Sequence, residues 1–177
     1  CLALAERGAE PDAQTLAAEA ARRGAPVVVV EGVADPRNLG AVFRTARAFG
    51  AGAVLLGPGG ADPLYRQTVR VSLGASLEVP FASCPRWPDA LAALEEAGFA
   101  VWALCADEGE PLAGLRPSGP VALLLGGEAH GLSPGARARA QRRVRIPVAP
   151  GSDSLNVATA SGIALYHVVA GTTACAS

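Results

Sequence analysis

Apolar runs at Val27–Val30, Ala53–Leu56, Phe99–Leu104 and Val121–Leu125 constrain the fold of this chain more than any other feature. Each is the length of a strand, and Val27–Val30 and Val121–Leu125 contain no polar residue, as expected of strands covered on both faces of a sheet. Shorter runs at Glu78–Phe81 and Val144–Val148 read as further strands. The segments between them, Leu39–Phe49, Pro63–Val71, Trp87–Ala97 and Pro134–Gln141, carry helical periodicity, and Asp12–Arg23 and Leu155–Val169 add a helix near each end. Strands alternating with helices predict an α/β domain with a mainly parallel sheet and helices on both faces. At 177 residues, half of them apolar, the chain has material for one well-buried core and not for two. Residues 25–177 form the expected domain, while 1–24 read as a linker, polar at Arg7–Pro11, with an N-terminal helix.

No apolar run approaches the ~18 to 20 residues that cross a bilayer, and the start of the chain lacks the basic-then-apolar pattern of a secretion signal. A cytoplasmic protein without membrane association is the expectation. Cys1, Cys84, Cys105 and Cys175 have no C-x-x-C spacing, so neither a disulfide framework nor a metal site is expected. The chain starts at Cys1 and contains no Met, which leads to the expectation of a longer protein with a further domain upstream. All 15 basic residues are Arg, and a net charge of −1 lacks the positive excess of a stand-alone nucleic-acid binder. Locally the arginines cluster: Arg37, Arg44 and Arg47; Arg66 and Arg70 at helical spacing; and Arg137, Arg139, Arg142, Arg143 and Arg145. Each cluster reads as a solvated face or as a phosphate track, and the track is the expectation for Arg137, Arg139, Arg142 and Arg143.

Three segments carry chemistry. The first, Glu31 to Gly50, directly follows the first strong strand. Asp35-Pro36 makes a turn, Asn38 is placed to cap the helix and Gly50 to end it. Val42, Ala46 and Phe49 share the inward face, which leaves Arg44 off the apolar stripe. Loops at the carboxyl ends of strands line the ligand crevice of open α/β sheets, so Asn38 and Arg44 are site candidates. An Arg44 paired with a surface carboxylate is the plainer alternative. The second segment, Gly126-Gly127-Glu128-Ala129-His130-Gly131-Leu132-Ser133-Pro134, follows a buried strand. Its glycines let a ligand approach the backbone, Glu128 stands at the strand end, and Ser133 with Pro134 opens a helix. Neither G-x-G-x-x-G nor a Walker pattern is present, which disfavours a nucleotide-dependent oxidoreductase, and His130 has no metal-ligand partners spaced around it. In the third segment, Ile146 to Ala160, a strand ends at proline and a Pro-Gly-Ser-Asp loop follows. Ser154 and Asn156 then stand at the mouth of an Ala-rich helix, placed to cap it or to hold a ligand.

Taken together and in this order, the three segments resemble the motifs of the SpoU/TrmH group of SPOUT-superfamily RNA methyltransferases. The patterns are Asn-x-Gly-x-x-x-Arg-Thr-Ala from Asn38, Gly-x-Glu-x-x-Gly-Leu-Ser from Gly126, and Ile-Pro followed by Ser-Leu-Asn-Val at Ser154–Val157. The likeness runs from about Val27 to Val169, and Asp62–Ala75 also resembles the family's linking helix, with a small-residue turn after a basic face.

The resemblance implies a SPOUT fold with a deep C-terminal trefoil knot, an exception to the rule that chains do not thread. It implies S-adenosylmethionine bound in the knotted loops, largely through backbone groups at Gly126, Ile146 and Leu155. It also implies a homodimer with the closing helix in the contact, although Val157-Ala-Thr-Ala-Ser-Gly162 is more polar than the small apolar run expected there. The implied activity is methyl transfer to a ribose 2′-hydroxyl of RNA, with rRNA preferred over tRNA and an RNA-binding domain upstream. Arg44 is then the residue at the reaction centre, gripping a phosphate, with Asn38, Glu128, Ser154 and Asn156 as the supporting catalytic set. Asn38 and Asn156 orient the hydroxyl, and Glu128 orients Arg44. The alternative is a catalytically silent RNA-binding protein that retains the fold.

Overall fold

The valine and leucine runs pair side by side in one sheet. A computed structural model describes residues 6–152 and 154–173; Cys1, Cys175 and Asp153 of the third segment lie outside the described residues. In chain order the elements are α1 (Ala13–Arg22), β1 (Val27–Glu31), α2 (Pro36–Ala48), β2 (Ala53–Leu56), α3 (Arg66–Val71), α4 (Ala75–Glu78), β3 (Phe81–Ser83), α5 (Ala92–Glu96), β4 (Ala100–Leu104), β5 (Glu110–Pro111), β6 (Val121–Gly126), α6 (Pro134–Arg139), β7 (Arg142–Arg145) and α7 (Val157–Thr173). The sheet order is β3-β2-β1-β6-β4-β7-β5, with parallel pairing between neighbours.

Alternate residues of each central strand feed opposite cores, which is why these strands read as unbroken apolar runs. Val28, Val30, Leu123 and Leu125 point to one side, where Leu39, Val42, Phe43 and Ala46 of α2 and Val157, Ala164, Leu165 and Val168 of α7 cover them. Val27, Val29, Ala122 and Leu124 point to the other, under Leu16, Ala17 and Ala20 of α1, Leu94 of α5 and Ala136 of α6. The N-terminal helix is therefore packed into the same body as the sheet. β1 and β6 lie at the centre in register, so that Glu31 pairs with Gly126 where both strands end. The loops that follow them, with that after β4, converge at one end of the sheet.

The expected α/β architecture is present, with four differences that have local causes. The strand expected at Glu78–Phe81 is Phe81–Ser83, because Gly74 at φ +83 starts the short helix α4 that holds Glu78. The strand expected at Val144–Val148 is Arg142–Arg145: Arg142 and Arg143 pair with β4 through their backbones, and the apolar Ile146 and Val148 leave the sheet. β5, two residues long, gave no periodic signal. The helix expected over Trp87–Ala97 is a 3-10 turn, Asp89–Leu91, leading into five residues of α5.

Candidate active site

Each turn at the carboxyl end of the sheet is held by contacts of its own chain. Asp35, not Asn38, caps α2: its carboxyl accepts from the Arg37 backbone N–H at 2.8 Å, and Pro36 takes the first helical position, where the absence of an N–H costs nothing. The Arg37 guanidinium also bonds Asp35, which lowers that carboxyl's pKa below the usual carboxylate value. Asn38 is thereby free to point across the sheet end. Its amide Nδ2 donates to Glu128 Oε1, and its Oδ1 accepts from Asn156 Nδ2 at 2.9 Å. Asn156 in turn caps α7, its Oδ1 accepting from the N–H of Ala158 at 2.9 Å and of Thr159 at 3.4 Å. Asn156 therefore serves the helix through its Oδ1 and reaches Asn38 through its Nδ2.

These bonds tie the three segments together beside a cavity of about 610 Å³, within the range of small-molecule sites. Gly126, Ile146 and Leu155 line it, as do Glu128, Ser154 and Asn156. Leu104, Leu125, Leu132, Val148 and Ala160 give it apolar walls. Leu104–Asp107, which the sequence reading passed over, form one wall from the end of β4; the rule that ligands sit beyond the carboxyl ends of parallel strands was the signal available for them. Burial pushes the Cys105 thiol above its ordinary pKa, so it is a wall residue and not an activated nucleophile. Among the described residues no group of acidic, His or Cys side chains is placed to hold a metal ion.

The glycines of the second segment are required by the chain itself. A Cβ on Gly126 would lie 2.3 Å from the carbonyl carbon of Gly131, and one on Gly127 would lie 2.0 Å from the carbonyl oxygen of Gly32. The turn closes with Gly131 N–H donating to Gly127 at 2.9 Å and Gly127 N–H donating to Glu31 at 2.7 Å. Glu31, buried and given no role by sequence reasoning, holds this turn in place. Its carboxyl accepts from Trp87 Nε1 at 2.5 Å and from the Ser133 N–H, the start of α6, at 2.8 Å. Its position as the one polar residue closing an apolar strand was the signal that pointed to it.

Arg44 is exposed and outside the cavity lining, and among the described residues its side chain makes no ion pair or hydrogen bond. The surface carboxylate partner considered for it is not found, and Glu128 holds Asn38 instead of orienting Arg44. Gly40 of the same motif has a packing role: a Cβ there would lie 2.8 Å from the Thr68 carbonyl, so the glycine lets α3 close onto α2. Arg44 follows Gly40 by one helical turn on that side.

The arginines expected as a phosphate track are engaged internally. Arg137 and Arg143 share Glu108 at 3.2 and 3.4 Å, Arg139 meets Asp89 at 3.3 Å, and Arg142 meets Glu110 at 2.9 Å. Arg137, Arg142 and Arg143 tie the loop that contains β5 to α6 and β7, and Arg139 ties α6 to the 3-10 turn before α5.

Comparison with known proteins agrees with this geometry. The model of the SpoU rRNA Methylase family matches residues 25–166. An uncharacterized tRNA/rRNA methyltransferase of Mycobacterium bovis is 43% identical over 171 residues, 94% of this chain and 58% of the relative. The 23S rRNA (guanosine-2′-O-)-methyltransferase RlmB of Xanthomonas axonopodis pv. citri is 36% identical over 85% of this chain and 61% of its own. The chain thus spans about three fifths of the length of these curated relatives. Among solved structures, the AdoMet-bound rRNA methyltransferase of Sinorhizobium meliloti superposes with a TM-score of 0.82 at 32% identity, over 90% of this chain and 60% of the other. The shared SPOUT architecture implies the C-terminal knot. Three segments met in one order along the sequence, joined at one end of one parallel sheet and matched along most of their length, place this chain in the SpoU rRNA Methylase family.

Proposed function

We propose that this chain is the catalytic part of an S-adenosylmethionine-dependent methyltransferase that acts on a ribose 2′-hydroxyl of RNA, rRNA in preference to tRNA. The observation that carries the proposal is the Asn156–Asn38–Glu128 chain of hydrogen bonds at the rim of the 610 Å³ cavity. A structural protein has no need of three polar side chains from three distant segments bonded to one another beside a pocket with both apolar and polar walls. The same feature weighs against a catalytically silent protein. The relative named as a 23S rRNA (guanosine-2′-O-)-methyltransferase supports the 2′-O position and the rRNA preference. RNA as substrate agrees with a cytoplasmic location, and no helix among the described residues is long and apolar enough to cross a membrane. The longer relatives leave room in the proposal for an RNA-binding domain preceding the linker and helix of residues 1–24.

The cavity fits S-adenosylmethionine in kind. Leu104, Leu132, Ile146 and Leu155 offer apolar surface to a purine and a thioether chain, and the backbone at Gly126, Ile146 and Leu155 offers hydrogen-bonding groups. When bound, the cofactor supplies an electrophilic methyl group on a sulfonium. Asn38 and Asn156 position the ribose hydroxyl, and Glu128, by accepting from Asn38, fixes the amide plane that does so. Ser154, exposed at the cavity, is a further hydroxyl for the substrate side. Arg44 grips the adjoining phosphate and stabilises negative charge developing on the attacking oxygen. A guanidinium has no acceptor lone pair and stays charged, so charge stabilisation is the role it can fill.

The proposal includes a homodimer through α7. That helix leaves Ile163 41% and Tyr166 63% exposed, with Tyr166 edge-on to Phe49 of α2, a solvent-facing apolar strip continuous with the site helices. Ligand-dependent melting tests the cofactor assignment. S-adenosylhomocysteine at 100 times its dissociation constant should stabilise the protein by about 2.7 kcal/mol and raise Tm accordingly, while NAD should not. Stabilisation by NAD and none by S-adenosylhomocysteine would contradict it.

A further inference from the structure

The arginines of this chain divide into those with a carboxylate partner and those without. Arg7, Arg37, Arg47, Arg137, Arg139, Arg142 and Arg143 are each paired with Asp or Glu. Arg66 and Arg70, like Arg44, are exposed, and among the described residues their side chains make neither an ion pair nor a hydrogen bond. They stand four residues apart on α3, so their side chains leave the same helix face. With Gln67 and the half-exposed Tyr65 they line a shallow concavity of about 370 Å³ on the surface. The contact at Gly40 lays α3 against α2, and Arg44 rises one turn beyond it on the same side. Two guanidiniums without a carboxylate partner therefore share one concavity with an aromatic ring, although the chain as a whole carries a net charge of −1. Such a set suits a polyanion with stackable rings: phosphates meet the guanidinium forks and a base meets the phenol face.

We infer that Tyr65, Arg66 and Arg70 form an RNA subsite for nucleotides flanking the one at Arg44, with two phosphates on the guanidiniums and one base stacked on Tyr65. The inference rests on RNA being the substrate, and it moves the phosphate track from the Arg137–Arg143 segment, whose charges are neutralised internally, to α3. The contacts are made by side chains on the exposed face of α3 and ask nothing of its backbone ends.

The test is fluorescence anisotropy with fluorescein-labelled oligouridylate, titrated across a range of salt concentrations. The Arg66→Gln/Arg70→Gln double variant should lose about 1.4 from the slope of log affinity against log salt, the share of two phosphates on a single strand. Tyr65→Ala should bind about tenfold more weakly, and Tyr65→Phe, which keeps the ring, should bind like the parent. Arg142→Gln/Arg143→Gln should leave the slope within error. All variants should bind S-adenosylhomocysteine as the parent does, which separates lost RNA contact from lost folding. An unchanged slope in the Arg66/Arg70 variant, or a slope lost in the Arg142/Arg143 variant instead, overturns the subsite while leaving the methyltransferase reading in place. A parent protein that binds no oligouridylate at all overturns the subsite together with the RNA reading.

Discussion

Asn38 illustrates how a residue's neighbours decide what its side chain is free to do. Sequence spacing predicts it as a helix cap, but Asp35-Pro36 fills that role a few residues earlier in the chain, with Asp35 capping and Pro36 at the first helical position. The released amide reaches Glu128 and Asn156 instead. The candidate residues Asn38, Glu128, Ser154 and Asn156 were legible in the sequence because polar residues at strand ends and helix mouths have few purely structural uses. The links among them were not legible, since they join positions about a hundred residues apart. Arg44→Ala and Asn38→Ala should each lower methyl transfer by about 100-fold or more, the first through lost charge stabilisation and the second through lost positioning. Because neither residue lines the cavity, S-adenosylmethionine affinity measured by calorimetry should change by no more than a few fold. Turnover near the parent value in Arg44→Ala would remove that residue from the reaction centre.

Among the elements, the central strands were the most legible and the peripheral ones the least. β1 and β6 are apolar throughout because both faces are buried, whereas β7 begins with Arg142 and Arg143, whose side chains find Glu110 and Glu108 and leave no alternating pattern. The β6–α6 turn carries a second lesson. Paired glycines suggest room for a ligand, yet here they admit the crossing of the turn's own backbone and of the β1 loop. Gly126→Ala should therefore act first on folding. Forcing a methyl group against Gly131 and Leu132 should cost about 1–3 kcal/mol and lower Tm by roughly 3 to 10 °C, measured by calorimetry without any ligand. A variant with the parent's Tm and weakened cofactor binding would return Gly126 to a purely ligand-facing role.

For the whole molecule, the fold class followed from alternating apolar runs, but the path of the C-terminal segment did not. Periodicity places α7 after β7 and says nothing of the route between them; the resemblance supplied the knot. The assembly is likewise a matter of surface. Replacing Tyr166 on the exposed strip of α7 with Glu should shift the species seen by sedimentation velocity from dimer to monomer, and a parent chain that sediments as a monomer would contradict the dimer. The central claim is that the cavity and the Asn156–Asn38–Glu128 relay together direct a methyl group to a ribose oxygen. Its most direct test uses tritiated S-adenosylmethionine with ribosomal RNA, followed by digestion to nucleosides and chromatography. The account predicts label in a 2′-O-methylnucleoside; label on a base, or no label in RNA of any kind, contradicts it.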